Sequence, residues 1–311
     1  MVEFVRGTRV SMGESTFMNL ALVLKELEFS HPIFFYLIFF SGGLLIGSFL
    51  NVLIYRLPKM MEQEWRDDCN LLLDIKSPAK ESQAYNLFLP LSFCPNCQCK
   101  IFLLEKIPII SFILLGGRCK ECKERISWRY PIIEIISGIS ALCVAINFGI
   151  SIQTIPALLF TFSLLALSAI DFEHKFLPDN ITLSFLWLGV ICNIFEIFTD
   201  IYSCLFGAIF GYLTFWVIYT VFKILTGKET IGRGDFKLLA MLGAWLGWQL
   251  LPLIIFLSSL LGSIVGIGLT LANLHKRSQP IAFGPYLAIA GWIALIFGNN
   301  IMNIYFGWLT N

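Results

Sequence analysis

Long apolar segments alternate with short polar connections along most of the chain from residue 33 onward. A helix of about 20 mostly apolar residues crosses a bilayer core, and the pattern predicts eight such spans. They lie at about 33–56, 130–149, 154–170, 180–198, 201–224, 236–248, 251–272 and 283–308. The sixth is short for a full crossing, so we expect it to tilt or to end partway against its neighbours, which is tolerated where the backbone is buried in protein. The pattern predicts an all-α polytopic membrane protein with about eight transmembrane helices.

The composition agrees with this class. Of the 311 residues, 57% are hydrophobic and only 14% are charged, with a mean hydropathy of +0.77. Soluble domains carry about 25% charged residues, so an ordinary soluble fold is excluded. The net charge of +1 points to no partner, and we expect contact with the lipid bilayer and none with nucleic acid.

Positive charge is confined to alternate connections. Those near 150–153, 199–200 and 249–250 hold no Lys or Arg. The basic connections are 56–129, with 12 of the 22 Lys and Arg residues, then 172–179, 223–237 and 273–282. Because basic loops stay cytoplasmic, the distribution predicts that both termini lie outside and that the large loop lies in the cytoplasm.

This topology divides the chain into four parts. They are a weakly ordered N-terminal extension at 1–32, a first transmembrane helix at 33–56, a cytoplasmic loop domain at 57–129 and a membrane core at 130–311. The polar segment from Lys59 to Pro90 is typical of an irregular linker or a small helical excursion.

Two CxxC pairs, Cys94 with Cys97 and Cys119 with Cys122, lie 21 residues apart in the large loop. Four thiolates in such pairs can surround a zinc ion tetrahedrally, and a reducing cytosol favours metal binding over a disulfide. The pattern therefore predicts a zinc-ribbon-like site, against free thiols or a redox dithiol. Cys99 is close enough to substitute for a ligand or to be a bystander.

Single cysteines stand at four other positions. We expect them to behave as small apolar residues of the core. They are Cys69, Cys143, Cys192 and Cys204.

Two aspartates mark the ends of predicted spans. Asp171 ends the third span in "LSAIDFEHKFLPDN", and Asp235 opens the sixth in "GRGDFKLLAM". Acids at membrane depth are functional candidates, and the topology places both at the cytoplasmic ends of their helices. Each also has a structural interpretation. Asp235 could cap its helix, and Asp171 could be an interfacial acid facing Lys175 or His174.

A pair of aspartates that share a proton can activate water and protonate a leaving amine. Helix ends suggest the roles, since the positive N-terminus favours ionised Asp235 and the negative C-terminus disfavours ionised Asp171. We predict Asp235 as the base and Asp171 as the acid. Gly232 and Gly234 either let a substrate strand approach Asp235 closely or form a plain flexible loop.

Several motifs in one order give the chain a resemblance to a known family. They are "GSFLNVLIYRLP" at 47–58, "CPNC" at 94–97, "IPIIS" at 107–111, "GGRCKEC" at 116–122, "SWRYPIIE" at 127–134, "IDFEHKFLPD" at 170–179 and "GRGDFKLLAMLGAWLGW" at 232–248. From about residue 40 to the C-terminus the sequence resembles the type IV prepilin peptidases, membrane aspartyl proteases of pilus and type II secretion systems. The GxGD motif is also similar to that of presenilin-type proteases.

The resemblance implies a bifunctional enzyme of the bacterial inner membrane. It would cleave the leader of prepilin or pseudopilin substrates on the cytoplasmic side and methylate the new N-terminal residue with S-adenosylmethionine. It also implies that Asp171 and Asp235 are catalytic, and that Cys94, Cys97, Cys119 and Cys122 organise the methyltransferase loop. Two alternatives remain: a peptidase without methyl transfer, and a non-enzymatic scaffold or transporter with a zinc-stabilised loop.

Overall fold

The computed structural model describes residues 25–26, 28–73, 86, 94, 96–97, 99–100, 108–227, 232–272 and 282–309. Most of the predicted N-terminal extension and much of the polar linker lie outside these ranges, as do parts of the loops at 223–237 and 273–282. The described residues are mainly helical and contain no strand, apart from an isolated antiparallel bridge between Arg118 and Arg125.

The main helices follow the predicted spans. In chain order they are α1 Pro32–Leu72, α2 Ile110–Leu114, α3 Arg129–Phe148, α4 Thr154–His174, α5 Asp179–Ile194, α6 Ile201–Thr226, α7 Arg233–Leu246, α8 Leu251–Leu271 and α9 Gly284–Leu309. In the described part, five segments are long and apolar enough to cross a membrane: α1, α3, α4, α6, and α8 with the short 3-10 turn before it. Shorter apolar helices complete the bundle, and the predicted class of all-α polytopic membrane protein is confirmed.

Helix α1 continues well beyond the end predicted at 56. It spans 41 residues up to Leu72 and contains Pro58, which removes one backbone hydrogen bond but does not end the helix. The polar residues after the apolar segment continue the helix. Among them, Arg66 forms an i,i+4 ion pair of 2.6 Å with Glu62. At about 1.5 Å per residue, α1 is about 60 Å long, twice the thickness of a bilayer core.

Helix α7 lies at the centre of the bundle, against α5, α6 and α9. Its 14 residues span about 21 Å, less than the roughly 30 Å of a bilayer core. Every residue from Leu238 to Leu246 is buried. Trp245 stacks on Phe160 with ring centroids 4.6 Å apart, and its indole N–H donates to the Phe185 carbonyl at 2.7 Å. The sixth predicted span therefore ends partway across the bundle, where neighbouring helices surround it.

The crossing of α6 and α7 is built on glycines. A Cβ on Gly207 would overlap the Gly243 carbonyl, and a Cβ on Gly243 would overlap Gly207. One turn further along α6, a Cβ on Gly211 would lie 2.6 Å from the Leu239 carbonyl oxygen. Small residues four apart let membrane helices approach backbone to backbone, which strengthens their van der Waals contact.

The side-chain amide of Asn193 caps the C-terminal end of α7. Asn193 is completely buried, and its Nδ2 donates to the carbonyls of Ala244 and Trp245 at 2.8 and 3.1 Å. Its Oδ1 accepts from the N–H groups of Phe198 and Thr199 at 3.1 and 3.2 Å. Carbonyls at a helix end and loop N–H groups are otherwise costly to bury, so Asn193 allows α7 to stop within the bundle.

Candidate active site

Asp171 lies in the last turn of α4 and is only 6% exposed. Its Oδ2 accepts a hydrogen bond of 3.0 Å from the backbone N–H of Gly284, the first residue of α9. Lys175 ends α4 in the left-handed conformation, and its N–H donates to the Asp171 carbonyl at 2.9 Å. Since α9 covers the carboxylate, Asp171 is not an exposed interfacial acid.

Asp235 is the third residue of α7 and is 7% exposed. The residue that caps this helix is Gly232, with no side-chain cap, so the interpretation of Asp235 as an N-cap is wrong. The Gly232 N–H instead lies beside the Asp235 carboxylate. This arrangement resembles the reach of an acidic third residue back to the cap.

The two glycines of the loop have separate roles. A Cβ on Gly232 would lie 3.3 Å from Asp235 Oδ2, whereas a Cβ on Gly234 would lie 2.9 Å from the Cβ of Leu177. Gly232 therefore leaves room at the carboxylate, and Gly234 lets the start of α7 pack against the loop that follows α4.

The structure brings the two aspartates together at one end of the bundle, where α4 ends and where α7 and α9 begin. The Asp171 carboxyl group lies close enough to Asp235 for the two groups to interact electrostatically. Both side chains are buried, and a glycine N–H lies beside each carboxylate. Two acids at such a helix junction can handle protons on either side of a reacting bond.

Neighbouring polar residues are engaged elsewhere. Asp179 is the first residue of α5, as a helix start predicts, and pairs with Lys237 at 2.6 Å. His174 lies 4.0 Å from Glu173 and makes no hydrogen bond to either aspartate within the described residues. These contacts leave Asp171 and Asp235 as the acids that share the junction.

Gly284 is a residue of this junction that the sequence pattern did not indicate. A Cβ there would lie 2.6 Å from Asp171 Oδ2, so only glycine fits without a shift. Its one local signal is the Gly-Pro step of "AFGPY", which is typical of a helix start and carries no sign of a distant carboxylate.

The four predicted cysteines converge. The sulfur atoms of Cys94, Cys97, Cys119 and Cys122 all lie within 4.8 Å of one another. Cys94 Sγ is 3.7 Å from Cys122 Sγ, and Cys97 Sγ is 3.9 Å from Cys119 Sγ. A tetrahedron with metal–sulfur bonds of about 2.3 Å has sulfur–sulfur edges of about 3.8 Å, so the cluster could hold a metal ion.

Backbone N–H groups favour the thiolate form of the first cysteine in each CxxC turn. The N–H groups of Cys122 and Glu121 face the Cys119 sulfur and lower the pKa of that thiol to about 6. The N–H groups of Cys97 and Asn96 lower the pKa of Cys94 in the same way. Since the thiolate is the form that binds metal, the first cysteine of each turn favours the ligand state. The neighbouring Cys99 thiol raises the pKa of Cys97 to about 11, and desolvation and the other cysteines raise the pKa of Cys122 to about 11.

Cys99 lies beside the cluster. Its sulfur is 2.9 Å from that of Cys97 and 4.0 Å from that of Cys119, and its carbonyl accepts from the Cys94 N–H at 3.0 Å. The backbone of Cys99 thus closes the first CxxC turn while its thiol remains a possible fifth sulfur.

The single cysteines differ from one another. Cys192 and Cys204 are buried, as predicted for small apolar residues, and Cys143 is half-buried. Cys69 is exposed on the extended part of α1, so the prediction that it belongs to the core is wrong.

An ion pair joins the start of α3, which follows the cysteine cluster in sequence, to the end of α4, which carries Asp171. Arg129, which begins α3, has its Nη1 2.8 and 2.6 Å from the two carboxylate oxygens of Glu173. Glu173 follows Asp171 by two residues. The start of α3 and the end of α4 are therefore fixed side by side.

The whole arrangement is that of a polytopic helical membrane protein with a buried pair of acids and a cysteine cluster. Residues 42–148 match the Bacterial Peptidase A24 N-terminal domain, and residues 158–267 match the Type IV leader peptidase family. The chain belongs to this family and is a membrane peptidase, as its resemblance predicted.

Curated relatives share most of their length with the chain. A prepilin leader peptidase/N-methyltransferase of Pseudomonas aeruginosa is 49% identical over 276 residues, which is 89% of this chain and 95% of that protein. Proteins of the same name from Stutzerimonas stutzeri and Aeromonas hydrophila are 49% and 46% identical, over 89% and 93% of this chain and 95% and 99% of their own. No solved structure matches the chain.

Proposed function

We propose that this protein removes the leader peptide of type IV prepilins or pseudopilins at the cytoplasmic face of the bacterial inner membrane. It then methylates the new N-terminal residue. The observation that carries the peptidase half is the meeting of Asp171 and Asp235, both buried, at the junction of α4, α7 and α9. The names of the relatives support both halves.

Asp235 acts as the base and Asp171 as the acid. Asp235 takes a proton from water, the water oxygen attacks the scissile carbonyl carbon, and Asp171 gives its proton to the leaving nitrogen as the carbon–nitrogen bond breaks. Two nearby carboxylates favour sharing one proton, because like charges repel at short range. The first turn of α7 favours the ionised form of Asp235. The last turn of α4 favours the protonated form of Asp171, against the opposing effect of the Gly284 N–H at the start of α9.

The cysteine cluster is assigned to structural zinc. Cys94, Cys97, Cys119 and Cys122 would hold the ion, and the spacing of their sulfurs fits a tetrahedral shell. Bound zinc would stabilise this segment, whose described helix α2 has no buried residue. S-adenosylmethionine, when bound, would supply the methyl group.

The division of the chain follows from these assignments. Residues 57–129 form the cytoplasmic methyl-transfer part, although their first helical turns continue α1, and residues 130–311 form the peptidase core. Residues 1–32 are an extension and 33–56 the first crossing. The basic connections support the cytoplasmic side for the large loop.

Leader removal from a prepilin-like substrate in membranes tests the peptidase assignment. Asp171→Asn and Asp235→Asn should each lower cleavage by about a hundredfold or more, as expected for loss of a general acid or base. Asp179→Asn is the matched control, since Asp179 is half-exposed and paired with Lys237, and it should cleave at nearly the wild-type rate. Normal cleavage by either of the first two variants would remove that aspartate from the mechanism.

A further inference from the structure

A second buried polar layer lies between α1 and α3. Glu134 of α3 is 7% exposed and accepts a hydrogen bond of 2.9 Å from the Ile109 N–H. The Ser48 hydroxyl of α1 also bonds to it. None of the ion pairs within the described residues includes Glu134. A buried carboxylate without a cation is costly, and the leader-cleavage mechanism does not use it.

An unpaired acceptor occupies the same interface. Asn51 of α1 is 2% exposed, and its Nδ2 donates to the carbonyls of Gly47 and Tyr130 at 3.3 and 3.1 Å. Since both partners are carbonyl oxygens, the amide orientation is fixed and Oδ1 points away from them. That oxygen is buried and has no hydrogen-bond partner among the described residues. A buried polar atom without a hydrogen-bond partner is rare in proteins and requires a structural or functional reason.

The turn that contacts Glu134 is strained. Ile109 has φ 60° and ψ −49°, and the Ile110 N–H bonds back to the Pro108 carbonyl, which closes a γ-turn. A β-branched residue rarely adopts positive φ. Such strain persists where the surroundings impose it, often at binding sites. Here it directs a backbone N–H to one face of Glu134.

We propose that Glu134 and Asn51 Oδ1 bind a primary ammonium group of the methyl-transfer reaction. An ammonium brings several N–H donors and one positive charge, which is what a lone carboxylate and an orphan amide oxygen lack. Its source is the α-ammonium of the methyl donor or the new N-terminus of the cleaved substrate. This inference rests on the proposed function and assigns a binding site to its methyl-transfer reaction.

The position suits both sources. Tyr130, whose carbonyl contacts Asn51, follows Arg129, and Arg129 is bonded to Glu173 beside Asp171. Glu134 lies on α3 five residues after Arg129, which is bonded to the end of α4 that carries Asp171. The cysteine cluster lies on the same segment, just before α3.

The test distinguishes binding of the methyl donor from binding of the amine that accepts the methyl group. Binding of S-adenosylmethionine and S-adenosylhomocysteine, which both carry the α-ammonium, is measured with purified full-length protein, wild type and Glu134→Gln. Methylation of a pre-cleaved peptide with a free N-terminus gives KM for the amine. Gln keeps the acceptor for Ile109, so leader cleavage should persist. Ser140→Ala is the control, because Ser140 is also buried on α3 and its hydroxyl donates to the Ile136 carbonyl of the same helix.

A fall of about tenfold or more in the affinity for both nucleosides would support the site and assign it to the donor. Unchanged donor binding with a similar rise in KM for the peptide would support it and assign it to the acceptor. No change in either overturns the inference while the proposed function stands. If Glu134→Gln also loses cleavage and Glu134→Asp restores it, the carboxylate serves the fold and the inference fails. Wild type that cleaves but binds neither nucleoside overturns this inference along with the methyl-transfer half.

Discussion

The backbone N–H of Gly284 donates to Oδ2 of Asp171 across 113 residues of sequence, at 3.0 Å. This bond attaches the start of α9 to the last turn of α4. A second glycine, Gly232, presents its N–H to Asp235. Each acid thus has a backbone N–H group of a glycine beside its carboxylate.

Gly284→Ala should lower leader cleavage by about ten- to a hundredfold. The added Cβ would lie 2.6 Å from Asp171 Oδ2, and relieving such overlap costs about 1–3 kcal/mol, here by displacing the carboxylate. Cleavage rates in membranes provide the measurement. Gly268→Ala is the control, since a Cβ there meets nothing within 4 Å. Equal rates for the two variants would show that the position of Asp171 is not limiting.

Replacing one cysteine of the cluster should release the metal. We expect Cys97→Ser and Cys119→Ser to lower bound zinc to well below one per chain, because three thiolates leave the tetrahedral shell incomplete. Elemental analysis of purified protein gives the stoichiometry. Cys99→Ser should retain one zinc, since its main contact is the carbonyl bond to Cys94. If Cys99→Ser alone lost the ion, Cys99 would be a ligand and one of the four would not.

Asn193→Leu should destabilise the bundle. It leaves two carbonyls and two N–H groups of the buried interior without partners, at about 1–3 kcal/mol for each unpaired group. Thermal unfolding in detergent should show a markedly lower midpoint. Asn147→Leu serves for comparison, because Asn147 is exposed and makes a single bond to Cys143. Similar midpoints for both variants would mean that water reaches the end of α7.

Gly207→Ala should weaken the crossing of α6 and α7. Its methyl group would overlap the Gly243 carbonyl, so the helices must separate, at about 2 kcal/mol or more. Thermal unfolding and cleavage activity should both fall, since α7 carries Asp235. Gly42→Ala, whose Cβ meets nothing within 4 Å, should leave both unchanged. An unaltered midpoint for Gly207→Ala would indicate that the contact is looser than described.

Much of the fold follows from apolar pattern and charge. The helices lie close to the predicted spans, because segment length and hydropathy are local properties that a bilayer reads directly. Helix α1 continues beyond the span predicted at 33–56 into the segment predicted as an irregular linker or a small helical excursion, since a change from apolar to polar residues marks the membrane boundary and not the helix end. Pro58 lies at that change, and the helix tolerates the one hydrogen bond that it removes.

The candidate site was predictable in its acids and cysteines but not in their supports. Asp171 and Asp235 stand out because charge is rare in apolar segments, and the CxxC spacing is itself a geometric signal. Gly284, Glu134 and Asn193 matter through partners far away in sequence, and such pairings depend on how the helices pack. No local pattern around Gly284 or Asn193 indicates these partners, and Glu134 enters the sequence analysis only as the last residue of the motif "SWRYPIIE".

The contact between Gly207 and Gly243 also has a genetic consequence. At both positions the obstacle to a larger residue is the backbone of the other helix, which every amino acid shares. Shrinking a neighbouring side chain therefore cannot compensate for a change at either position. When a Gly207 variant is selected for regained activity, the revertants should restore the glycine codon itself, and second-site suppressors within α7 should be rare.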